Sequence, residues 1–90
     1  MSRTIVTLVG KDHVGIIAAV CNYFADNNIN ILDIKQTTVQ DYINMILIVD
    51  TSAYQHGLDN LNEGLDEVGK KVGCIIKATH EDIFEMMHRI

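Results

Sequence analysis

Four histidines, two cysteines and one glycine-flanked loop are the parts of this 90-residue chain that could do chemistry. His13, His56, His80 and His88 are scattered over four separate segments. His80, Glu81 and His88 come nearest to a metal-ligand run, but positions 80 and 88 stand two helical turns apart. That is too far to share one ion without a third element. Cys21 and Cys74 each sit inside an apolar periodic segment, and neither belongs to a Cys-x-x-Cys pair. Both read as reduced core thiols of a cytoplasmic protein. There is no Ser-His-Asp order with a nucleophile elbow, no His-Glu-x-x-His and no phosphate-binding loop. No catalytic residue, metal or cofactor is expected.

What remains is Gly10-Lys11-Asp12-His13-Val14-Gly15-Ile16, between an apolar run and a helical pattern. At such a junction the first amides of the helix lack partners and suit an anion, such as the carboxylate of a small molecule. Asp12 could pair with an ammonium group, and the two glycines let backbone approach a ligand. The same residues also make an ordinary capped turn, with Asp12 as the better cap by chemistry. The loop is too short and too poor in glycine for a dinucleotide fingerprint.

The elements that would position this loop follow from periodicity. Thr4 to Val9 is rich in β-branched residues and apolar on both faces, an interior strand or one covered on both sides. From Val14 to about Asp26, Ile17, Val20, Cys21 and Phe24 form one helical stripe, and Asn27–Asn28 ends it. Ile29 to Gln40 and Tyr42 to Asp50 read as two strands joined by a tight turn, hence an antiparallel hairpin. Ser52 to Gln55 has capping-box spacing, and Leu58, Leu61, Leu65 and Val68 then mark a second amphipathic helix ending near Lys70–Lys71. Val72 to Ala78 reads as the fourth strand. Ile83, Met86, Met87 and Ile90 give residues 81–90 the pattern of a short third helix.

This order predicts one α+β domain over residues 1–90 with a core over 4–79. It is a ferredoxin-like βαββαβ sandwich: a four-stranded antiparallel sheet in the order 4-1-3-2, two helices on one face, and an extra C-terminal helix. Several positions on the helix-free face carry Val, Leu or Ile, so a homodimer is expected, by sheet-face stacking or by edge pairing.

Composition removes other classes. Lys plus Arg is 7 and Asp plus Glu is 12, a formal net charge of −5, and only Tyr42 among the aromatics lies at a strand. That argues against nucleic acid as a partner. No stretch is apolar enough to span a membrane, and the start Met-Ser-Arg-Thr lacks the regions of a secretory signal. Acylphosphatase-type chemistry on this kind of sheet would need a phosphate-cradling cation, yet Lys11 is the loop's only one.

Asp12-His13-Val14-Gly15-Ile16 after a strand, then a helix, then Asn28-Ile29-Asn30-Ile31, resembles the ACT-domain family over about residues 4–79. The run from Val6 to Val49 is similar to small stand-alone bacterial ACT proteins and to the ACT units of the glycine-cleavage regulator type. The resemblance implies a non-enzymatic regulatory module that binds a small molecule, with amino acids as the first class to test. It also implies a ligand site at a subunit junction. One wall would be Asp12, His13, Val14, Gly15 and Ile16; the other would be Asn30, Ile31 and Leu32 of a second copy. Gly15 matches the position that leaves room for the ligand, and Asn30 the position whose side chain contacts it. The chain holds no catalytic domain, so regulation would act through an unidentified protein partner or by sensing alone. The competing reading is a protein–protein interaction or scaffold module without a ligand.

Overall fold

Alternating apolar residues build the sheet, and their buried members, Ile5 apart, share one face. The computed structural model describes residues 3–82. β1 (Arg3–Lys11) buries Thr4, Val6 and Leu8, β3 (Tyr42–Asp50) buries Ile43, Met45, Leu47 and Val49, and β4 (Cys74–His80) buries Cys74, Ile76 and Ala78. α1 (Ile16–Asp26) and α2 (Gly57–Val72) cover that face with Ile16, Val20 and Phe24 and with Leu61 and Leu65. Each fully buried side chain of this kind contributes about 1.5–3 kcal/mol, against the entropy of ordering the chain.

The sheet runs β2-β3-β1-β4, with β2 at Asn30–Val39, and every neighbouring pair is antiparallel. The expected strand order is therefore observed. β1 and β3 pair from Arg3↔Asp50 to Lys11↔Tyr42. A two-residue turn joins β2 to β3, with Gln40 at φ +55°. α1 packs toward β2, and α2 lies over β4. On the helix-free face Val9, Ile46 and Ile75 are exposed, whereas Ile5 is buried between its register partners Ile48 and Thr79.

Three local expectations need correction. α1 starts at Ile16, because Gly15 holds φ +98° at the cap and no side chain caps the first turn. The buried stripe is therefore Ile16, Val20 and Phe24, while Ile17 faces out. The expected capping box does not form. Ser52 instead turns back, its amide and hydroxyl donating to Asp50 Oδ1 at 3.0 and 2.7 Å, and α2 begins five residues later at Gly57. The extra C-terminal helix is not among the elements of the described residues: their order holds α1 and α2 and ends with β4 at His80, after which Glu81 and Asp82 are helical. Residues 83–90, which carry most of that expected helix, lie outside the described residues.

Asn28 takes the left-handed conformation (φ +58°) expected where α1 ends. No helix among the described residues is long and apolar enough to cross a membrane.

Candidate functional site

The loop between β1 and α1 is fixed from both sides. Lys11 closes the β1·β3 ladder opposite Tyr42, and the next amide, Asp12 N–H, donates to the Asp41 carbonyl at 2.7 Å. The β2–β3 turn thus anchors the loop's start. Val14 stands 99% exposed, and Gly15 turns the chain into the helix. Its carbonyl accepts the first helical bond, from Ala19 N–H at 3.0 Å. With no capping side chain and no acidic residue in the first turn, the first amides of α1 have no side-chain acceptor of their own. A Cβ built on Gly15 meets nothing within 4 Å, so the space in front of the helix start is open.

His13 occupies a different position from its loop neighbours. Nδ1 lies 3.0 Å from the Val14 carbonyl, and Nε2 contacts the carbonyl of Val72, the last residue of α2. These carbonyls, Val72 first, raise its pKa above the usual 6.5, with the charge of Asp12 adding to them. Sequence reasoning missed both anchors, Asp41 and Val72. Neither carries a local signal, since backbone carbonyls 29 and 59 positions away serve as acceptors.

The second set of candidate residues opens β2. Asn30 pairs in register with Asp50, Ile31 with Val49, and Leu32 sits in a bulge where the register shifts between Ile31 and Asp33. Such a bulge re-aims a side chain locally. Asn30 and Leu32 are exposed, and Ile31 packs against the core.

Within one protomer the structure does not bring the two sets together. Asn30 lies at the Arg3/Asp50 end of the sheet and the Asp12 loop at the Lys11/Tyr42 end. At the rise of a strand this is about 25 Å.

The Asn30 end of the sheet also holds a cavity of about 210 Å³ lined by Thr4, Thr51, Tyr54, Leu58, Leu61 and His80. Thr4 and Thr51 share a hydroxyl hydrogen bond of 3.1 Å there. None of the sequence-derived site residues lines this cavity. Cys21 and Cys74 are free thiols, and burial pushes the Cys74 thiol up in pKa. Among the described residues no cluster of His, Cys, Asp or Glu could hold a metal ion, and His88 lies outside them.

Comparison with known proteins agrees with this fold. The model of the ACT domain matches residues 4–63. A UPF0237 protein of Clostridium acetobutylicum is 47% identical over 88 residues, which is 98% of this chain and 99% of that one. An ACT domain protein from Streptococcus pneumoniae superposes with a TM-score of 0.82 at 31% identity, covering 93% of this chain and 94% of the other. The likeness to glycine-cleavage regulators is one of fold alone. A structure of that repressor type reaches a TM-score of 0.72 at 16% identity, over 87% of this chain and 44% of the other. Relatives matched along their whole length carry the UPF0237 name instead. This chain belongs to the ACT-domain family of regulatory, small-molecule-sensing modules that are not catalysts, and within it to the UPF0237 proteins.

Proposed function

We propose that the protein is a cytoplasmic, homodimeric amino-acid sensor whose ligand lies between the Asp12–Ile16 loop of one copy and Asn30–Leu32 of the other. The observation that carries this reading is the separation of the two walls. They stand at opposite ends of one sheet, and β2, the edge strand bearing the second wall, has nine of its ten residues exposed. Antiparallel pairing of β2 with its own copy about a two-fold axis sets the start of one β2 beside the end of the other. The end of β2 (Val39) pairs with Tyr42, which pairs with Lys11, so the partner's start of β2 would lie at the same end of the sheet as the Asp12 loop. The two β2 strands would join the sheets into one of eight strands, with α1 of each copy flanking the seam.

Apolar groups support that seam. Ile34 is 42% exposed and lies on the helix side of the sheet, in register with Leu47; Ile17 of α1 and Leu32 are exposed as well. The ligand's carboxylate would meet the uncapped amides of α1, its ammonium group Asp12, and its polar atoms the Asn30 side chain. The sensed state would pass to another protein through the dimer surface.

Calorimetry and thermal shift against each of the twenty amino acids test this reading. Binding of at least one, weakened in Asn30→Ala by roughly 1–3 kcal/mol, is expected. No heat and no thermal shift with any of them would leave the chain as an interaction module without a ligand.

A further inference from the structure

His13 stands inside the proposed ligand loop, yet its ring is turned away from that role. Each ring nitrogen faces a main-chain carbonyl of its own chain, Nδ1 that of Val14 and Nε2 that of Val72. A neutral imidazole carries one N–H and one lone pair, so it can donate to only one of two carbonyls and must present its lone pair to the other. The doubly protonated ring satisfies both. The Val72 carbonyl closes α2, whose chain leaves through Gly73 at φ +72°, and a cation is favoured at that negative end of the helix.

We propose that His13 is a positioning residue: protonated, it ties the Asp12–Ile16 loop to the carboxyl end of α2, and deprotonated it releases one of the two ties. This rests on the loop reading given above for the ligand site. The lone long-range tie of the ring joins residues 59 positions apart. It therefore sets where the loop stands relative to the α2–β4 turn, and with it the presentation of Gly15 and the α1 amides. The raised pKa of His13 agrees with the two-carbonyl geometry. Among its charged surroundings, Asp12 in the loop favours the imidazolium. Lys11 ends β1 and Lys70 and Lys71 occupy the last turn of α2 as like charges, while β4 offers the Cys74 thiol, held neutral by burial.

The test is a pH titration of the full chain by NMR, followed through the His13 ring nitrogens and the backbone amides. His13 should titrate above 6.5, and amides of the loop and of Val72–Cys74 should shift with the same midpoint. In His13→Gln, which keeps a donor but no titrating group, that shared midpoint should vanish while the rest of the spectrum is retained. An amide response confined to the loop, with Val72–Cys74 silent, overturns the tie whether or not any ligand binds. For an amino acid found to bind by calorimetry, affinity should fall about fivefold or more between pH 6 and 8.5 in the wild type and stay flat in His13→Gln. A parallel fall in both proteins overturns the coupling. Absence of any amino-acid binding bears on the sensor reading alone, since the shared titration is read on the free protein.

Discussion

The two edges of the sheet are built in opposite ways. At the β4 edge, α2 closes the strand. Asn62 donates to the Ala78 carbonyl at 3.0 Å and accepts from the Ala78 amide at 2.7 Å, so its side-chain amide takes the place of a neighbouring strand. Two turns further on, Gly69 lies so close to the Cys74 carbonyl that a Cβ there would collide with it. At the β2 edge nothing comparable is present among the described residues, and Leu32, Ile34 and Val39 stand in the open. An unpaired strand edge is a template for another strand. One edge is sealed by a dedicated side chain and the other is exposed, and the exposed one is the edge used by the proposed dimer.

The comparison can be broken most forcefully at β2. Ile34→Glu would place a charge in the proposed seam and should weaken the dimer by about 2 kcal/mol or more, with the circular dichroism of the folded chain retained. Sedimentation over a dilution series reads this, and an unchanged dissociation constant would remove β2 from the interface.

At the sealed edge the effect should fall on stability instead. Asn62→Leu keeps the branching of the side chain but leaves the Ala78 amide and carbonyl without their partner, which should cost about 2 kcal/mol in urea unfolding of the protomer. A smaller loss, about 1 kcal/mol, is expected from Gly64→Ala. There a Cβ would meet the Tyr23 hydroxyl of α1, a flexible side-chain end that can swing aside, and the packing of α2 against α1 would loosen slightly.

The smallest effect concerns pH. Because folding raises the His13 pKa above 6.5, its contribution to stability is fully present below 6.5 and is lost as pH rises through the higher folded value. The stability difference between wild type and His13→Gln should narrow over that interval. A difference that grows with pH would reverse the assignment.

Much of this architecture was legible where the pattern is purely local. β3 runs over Tyr42–Asp50 as its alternation dictates, and Asn28 turns the chain after α1. Other features were decided by competing partners or by the conformation of a single residue. Ser52 had capping-box spacing, but the Asp50 carboxylate two residues back captured it, and α2 waited for Gly57. Asp12 had the chemistry of a cap, but the left-handed Gly15, three residues later, opened the helix instead. The apolar spacing of residues 81–90 suggested a helix, of which the described residues include only Glu81 and Asp82. For the site, the loop and the start of β2 could be named from sequence, whereas their separation across the sheet could not. It depends on strand order and register. The ties of His13 and Asn62 were invisible for the same reason: they run to backbone groups, which carry no residue signature.

The pairing of β2 with β2 is tested most directly by the distance between single spin labels placed at Lys77→Cys on β4, with Cys21 and Cys74 substituted by serine and alanine. Side-by-side sheets put seven strand spacings between the two β4 strands, so a distance of about 30–35 Å is predicted. A distance below about 20 Å would mean that the sheets stack face to face, and the absence of any dipolar signal at micromolar protein would mean that no second copy completes the site.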